Sequence, residues 1–132
     1  MVEIEVRTSR RTDMVPITDA VRNVVREAGV DAGLCTVYVP HTTAAVTVNE
    51  NADPTVPRDI LHVVDRIIPF GDIGYGHAEG NSAAHIKASL FGTSETIPIR
   101  NGRLALGTWQ GIFFCEFDGP RTRRVSIKVL PG

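Results

Sequence analysis

The sequence predicts an α+β fold: a mixed or antiparallel β-sandwich with helices packed on its outside. Three observations lead there. Period-two strands open the chain, helical stripes fill its middle, and from Ser94 onward every run reads as strand. At 132 residues the chain is long enough for one full core, and no repeat, low-complexity tract or linker divides residues 1–132 into more than a single domain.

The first strand is "VEIEVRT", which sets Val2, Ile4 and Val6 on one face. "ITDAVRNVVREAG" places Ile17, Val21, Val24, Val25 and Ala28 on one helical stripe, with Gly29 as its stop. "GLCTVYVP" and "AAVTVNE" are rich in β-branched residues and read as two strands joined through "PHTT". "PRDILHVVDRIIP" carries Ile60, Leu61, Val64, Ile67 and Ile68 at helical spacing between two prolines. A glycine-rich loop from Phe70 to Gly80 follows, after which Asn81 or Ser82 caps a helix running through Phe91 to Gly92. Asn101-Gly102 signals a two-residue hairpin. "GIFFCEFDGPR" turns at Asp118-Gly119-Pro120 into "RRVSIKVL", where Val125, Ile127 and Val129 share a face. Before that turn, Ile112, Phe114, Glu116 and Asp118 lie on one face and Phe113, Cys115 and Phe117 on the other, so the strand is buried on both sides.

Composition narrows the function classes. A formal net charge of -1 with no basic stripe argues against nucleic acid. No apolar run approaches the roughly 20 residues that span a bilayer, and the first residues carry no signal-peptide core, so a cytoplasmic protein without a membrane partner is expected. Cys35 and Cys115 match no metal spacing and are expected as reduced thiols.

The stretch "GYGHAEGNSAAHIK" is the first candidate site. A helix start presents unpaired N–H groups and partial positive charge, which suits phosphate or carboxylate. Gly80 permits close approach, Asn81 caps the helix or faces a ligand, and Lys87 in the second turn offers a full charge. His85 falls one turn after Asn81 on the same face, and His77 precedes the helix on a segment able to fold back beside it. The bland alternative is a capped helix after an ordinary loop. The spacing of His77 and His85 is not a usual short zinc spacing, and His62 reads as a plain surface histidine.

"PHTTAAVTVNENADPTVPRD" supplies the second candidate. His41, Thr42 and Thr43 sit at a strand–strand junction, and Asn49, Glu50, Asn51 and Asp53 gather oxygen donors at the far end of the next strand. Such oxygens suit Mg²⁺, whereas capping of the following helix alone explains Asn51 and Asp53; the two readings balance for Glu50, and capping is the preferred one for Asp53. In "GTWQGIFFCEFDGPRTRR", a buried Glu116 requires a partner, for which Arg121 and Arg123 are both available across the turn; the functional alternative is a Glu116 that faces a cleft as ligand or base with a raised pKa. Arg121 is also the better oxyanion ligand, because guanidinium binds in a bidentate manner. Trp109 and Gln110 read equally as core or cleft wall.

Together, "SETIPIRNGRLALGTWQGI", "HTTAAVTVNENAD", "HAEGNSAAHIKASLFG" and "EFDGPR" resemble the YjbQ-type family of small proteins, over essentially the whole chain. The resemblance implies an α+β sandwich, assembly as a homotrimer with clefts between subunits, and a secondary thiamine-phosphate synthase activity. It carries over polar positions as His41, Thr42, Thr43, Asn49, Glu50, His77, Glu79, Asn81, His85, Gln110 and Arg121. On this view a small phosphorylated substrate is bound by Thr42, Thr43, Asn49, Asn81, Lys87, Trp109, Gln110 and Arg121. His41, His85 and Glu50 are the catalytic candidates. A divalent metal, Mg or Zn, would be held among His41, His77, His85 and Glu79. The rival expectations are a metal-dependent hydrolase using the histidines and a non-catalytic trimeric binder of a phosphorylated metabolite.

Overall fold

The computed structural model describes residues 1–132. Its elements run β1 (Val2–Arg7), β2 (Asp13–Pro16), α1 (Thr18–Ala28), β3 (Gly33–Tyr38), β4 (Ala44–Glu50), α2 (Thr55–Ile67), α3 (Ser82–Phe91), β5 (Ser94–Arg100), β6 (Arg103–Leu104), β7 (Gln110–Glu116) and β8 (Thr122–Pro131). A five-stranded sheet has the order β1-β8-β3-β5-β6, and a three-stranded sheet the order β2-β7-β4. Every pairing is antiparallel, so the alternative of a mixed sheet falls away.

The continuous apolar run of β7 explains the layering. Ile112 and Phe114 face the main core between the sheets, with Val37, Val46, Val125 and Ile127. Phe113, Cys115 and Phe117 face the opposite way, onto α3 through Ala84 and Ala88, with Ile60 and Leu61 of α2 partly covering them. Both faces of the three-stranded sheet are thus covered, which is why β7 lacks the alternation of a half-exposed strand. Small alanines let α3 approach the sheet closely.

Helices α2 and α3 pack outside, as expected. Helix α1 differs: Val21, Val24 and Val25, with Ile17 just before the helix, enter the main core itself. Three strands cannot cover five, and α1 fills the remaining apolar face. Helix α2 begins two residues before Pro57, where Asp53 Oδ1 accepts the N–H of Thr55 at 2.9 Å and its hydroxyl at 2.7 Å. Its predicted stripe is less buried than the spacing implied, for no residue of α2 is fully buried and Ile67 is 70% exposed. Strand β2, only four residues long and ending in proline, left no periodic signal in the sequence.

The β5–β6 hairpin turns at Asn101 and Gly102, both with positive φ (53° and 75°), as a two-residue turn of this hand requires. Cys35 and Cys115 are free and buried, and burial pushes their thiols up to about 11 and about 12. No helix is long and apolar enough to cross a membrane.

Gly119 ends the turn after β7 in a place only glycine fits. A Cβ there would lie 2.3 Å from the Arg10 carbonyl oxygen and 2.8 Å from Glu116 Cγ. Gly119→Ala is therefore expected to cost at least about 1–3 kcal/mol, the range for forced overpacking, as read by denaturant unfolding.

Candidate functional site

A buried ion pair lies beneath the site. Glu116, at the end of β7, is fully buried, and Arg123 in β8 is 5% exposed. Arg123 Nε donates to Glu116 Oε1 at 2.9 Å, and its Nη2 donates to Oε2, so the pair is bidentate. Glu116 also accepts the Thr8 hydroxyl at 2.7 Å and the Asp118 N–H at 3.0 Å. Burial acts to raise the Glu116 pKa, but the hydrogen bonds from Arg123, Thr8 and Asp118 outweigh it and hold the carboxyl below its ordinary 4.5. Of the two arginines available as partner, Arg123 takes the role.

Each group around the pair extends it toward the surface. Arg123 Nη2 donates to Thr43 Oγ1 at 2.9 Å and so fixes the segment carrying His41 and Thr42. His41 Nε2 sits 3.0 Å from the Arg124 backbone N and 3.1 Å from its carbonyl O, so a neutral ring accepts from the one or donates to the other. The Thr8 oxygen accepts the Arg121 N–H at 2.9 Å. Arg121 in turn donates from Nε to the Asp118 carbonyl at 2.7 Å and from Nη2 to Asp118 Oδ2 at 2.8 Å. The same Oδ2 accepts from Asn81 Nδ2 at 2.9 Å, tying the start of α3 to the β7–β8 turn.

The result is one cleft of about 760 Å³ whose wall includes His41, His77, His85, Asn81 and Arg121, with Thr42, Thr43 and Glu79 at its sides. The rings of His77 and His85 meet edge to face with centroids 5.1 Å apart, and His77 Nε2 lies 3.9 Å from Glu79 Oε2. Asn81 occupies the cap position of α3 but makes no capping bond. Its amide is drawn to Asp118, and its buried Oδ1 has no partner. No backbone carbonyl or side chain of the protein accepts the N–H groups of Ser82 and Ala83, so the start of α3 keeps its donors free.

Residues 2–132 match the family model described as "UPF0047 protein YjbQ-like". The chain belongs to the YjbQ-like family. It is 48% identical over 127 residues to UPF0047 protein YugU of Bacillus subtilis, covering 96% of each chain. With UPF0047 protein MJ1081 of Methanocaldococcus jannaschii it shares 47% identity over 130 residues, covering 98% of this chain and 94% of the relative. Its fold superposes with a TM-score of 0.95 on a crystal structure of a YjbQ/UPF0047 family protein from Clostridium acetobutylicum, at 53% identity over 98% of this chain and 100% of that one. A YbjQ-like protein from Sulfolobus solfataricus gives a TM-score of 0.94 at 34% identity, covering 99% and 96% of the two chains.

Other residues singled out in this YjbQ-like chain lie elsewhere. Lys87 does not face the cleft. It is buried between α3 and α2, where Nζ donates to Asp65 Oδ1 at 2.6 Å. Two residues past His85 on a helix is about 200° of rotation, onto the opposite face. Glu50, Asn49, Trp109 and Gln110 stand at the other end of β4, which spans about 20 Å at the usual strand rise. There Glu50 pairs in register with Gln110, Asn49 Oδ1 accepts the Glu50 N–H at 2.7 Å, and Trp109 is 64% exposed.

Metal binding requires several donors converging on one point. No three His, Cys, Asp or Glu side chains of the chain are so placed, and the Nε2 of His41 is already engaged by Arg124. The set His41, His77, His85 and Glu79 does not fit a metal within one protomer. Thr8 gave no sequence signal, because its role rests on contacts with Glu116 and Arg121, remote along the chain; Asp118 could be read as a turn residue, but not as the partner of Asn81.

Because the Glu116 carboxyl is held below 4.5, the ionised form stabilises the fold above that pH, and the contribution is lost as pH falls through the depressed value. Stability measured by denaturant is expected to drop steeply below about pH 4.5. Glu116→Gln, which leaves Arg123 buried without a counter-charge, is expected to lose about 3–5 kcal/mol at neutral pH and to flatten that acid slope. His41 is lowered below 6.5, first by burial and then by Arg123, with the Arg124 and Glu116 contacts opposing. Its ring is expected to titrate by NMR below 6.5 in the free protein, and to move upward when sulfate occupies the cleft. Anion binding there is then accompanied by proton uptake and strengthens as pH falls.

Proposed function

We propose that the cleft binds the phosphate of a small phosphorylated metabolite and supports a group transfer of the secondary thiamine-phosphate synthase type. The observation that carries this reading is the gathering of His41, His77, His85, Asn81 and Arg121, from separate stretches of chain, around one cleft beside the free N–H groups of α3. Phosphate oxygens meet guanidinium and helix N–H donors, the pairing that phosphate recognition favours. In the reaction, the thiazole nitrogen bonds the hydroxymethylpyrimidine carbon as the bond from that carbon to the diphosphate oxygen breaks. Pyrophosphate carries away the electron pair. Such a step calls for charge neutralisation and placement, which Arg121 and α3 supply, and for a proton to the departing oxygen, which His85 or His41 supplies.

The reading includes a homotrimer. Glu50, Trp109 and Gln110 are polar or exposed at the end of the three-stranded sheet remote from the cleft, about 20 Å away along β4. They reach a cleft only if it is that of a neighbouring protomer, which a closed head-to-tail ring permits. Glu50 acts in the reaction through that boundary or not at all.

His85→Ala and His41→Ala are each expected to reduce thiamine-phosphate formation about 10²–10⁴-fold, the usual contribution of a positioned acid or base. Arg121→Ala is expected to weaken phosphate binding in calorimetry at least tenfold. Product formation unchanged in both histidine variants overturns the transfer reading. Phosphate binding without turnover reduces the cleft to a binding site, and no phosphate binding at all removes that reading too. Analytical ultracentrifugation is expected to give three times the chain mass.

A further inference from the structure

The outer face of the five-stranded sheet has no cover. Helix α1 fills the main core, and α2 and α3 pack on the three-stranded sheet. On β3, Cys35 and Val37 enter the core, so Leu34, Thr36 and Tyr38 point outward. The strand register sets Leu34 between Leu130 of β8 and Pro98 of β5. Leu34, Tyr38 and Leu130 are each nearly half exposed, and Pro98 is exposed. An apolar strip that is continuous across the middle strands, unlike scattered single side chains, marks an interaction surface.

Positive charge brackets this strip. Ser126 stands opposite Tyr38, and Arg124 and Lys128 lie two residues to either side of Ser126 on the same face. Neither takes part in an ion pair of the protein, and Glu5, opposite Arg124 on β1, is held by Arg7. Across the whole face, Arg7, Arg100, Arg103, Arg124 and Lys128 outnumber Glu3 and Glu5. The complementary surface is the far end of the three-stranded sheet. There Glu50 pairs with Gln110, and the Asn51 N–H donates to the Trp109 carbonyl at 2.9 Å, so these segments stand together. Residues 49–55 and 105–111 carry two acids, Glu50 and Asp53, and no Lys, Arg or His. Trp109 is exposed on this end, and tryptophan is among the side chains enriched at the energetic centre of interfaces.

We propose that a second copy of this chain docks on the outer face of the five-stranded sheet, its Trp109 packed on the Tyr38 end of the strip and its Glu50 and Asp53 facing Arg124 and Lys128. This rests on the homotrimer reading above and names the two surfaces that make it. A face and an end are different surfaces, so the contact is head-to-tail, and copies joined in that way close into a ring. Tyr38 is also part of the wall of the His41 cleft. An end seated on Tyr38 therefore brings Glu50 and Gln110 to the mouth of that cleft.

Sedimentation of the full chain and its variants tests this. The parent is expected at three chain masses, and Tyr38→Glu and Trp109→Glu each at one, still folded by circular dichroism because both side chains are exposed. Each variant keeps one surface intact, so an equimolar mixture of the two is expected to form a species of two chain masses. Lys128→Glu, a milder change on the face, is expected to weaken assembly about tenfold. A trimeric parent whose mass survives in either variant, or a mixture that stays at one chain mass, overturns the assignment of surfaces and leaves the homotrimer standing. A parent of one chain mass removes both.

Discussion

The structure depends on a bidentate ion pair closed inside the protein. Glu116 and Arg123 lie on strands of different sheets, so their contact joins the two layers at one end of the main core. A carboxylate and a guanidinium buried this far need further hydrogen-bond partners beside each other. Here Thr8, Thr43 and the Asp118 backbone supply those partners. Their positions are thereby set by electrostatics rather than by packing.

That constraint shapes the cleft. Each partner of the pair is next to a residue that faces outward: Thr43 beside Thr42 and His41, Asp118 near Arg121, and Thr8 bonded to the Arg121 backbone. Helix α3 joins through Asn81, whose amide serves Asp118 instead of capping the helix. A cap residue diverted in this way costs helix stability and leaves N–H donors free, the kind of local inconsistency that marks a functional place. The α3 face that carries Ala84 and Ala88 anchors the helix on β7, which keeps the donors in place.

Much of the fold was legible because its signals are local. The period-two runs, the α1 stripe, the Asn101-Gly102 hairpin and the α3 stop at Gly92 each follow from residues within one turn or strand. The two-sided burial of β7 was legible too, since Phe113, Cys115 and Phe117 alternate with Ile112 and Phe114. The edge strand β2 and the inward place of α1 were not, because both answer to what the sheets leave uncovered. In the site, His41, His77, His85, Asn81 and Arg121 could be named from residue type and position. Lys87 differs: its nearness in sequence to the helix start points to the site, whereas helical rotation turns it toward Asp65. Thr8 was invisible, since its partner Glu116 is 108 residues distant along the chain, and so was the link from Asp118 to Asn81, 37 residues distant.

Replacing both members of the buried pair separates its stabilising from its organising role. Hydrophobic substitutes of similar size often restore stability when a buried pair is removed whole. Phosphate affinity of the Glu116→Met/Arg123→Met double variant, measured by calorimetry beside its denaturant stability, is the direct measurement. If the pair organises the cleft, the double variant folds yet binds phosphate at least tenfold more weakly than the parent chain. A double variant that folds and binds phosphate as tightly as the parent contradicts the account.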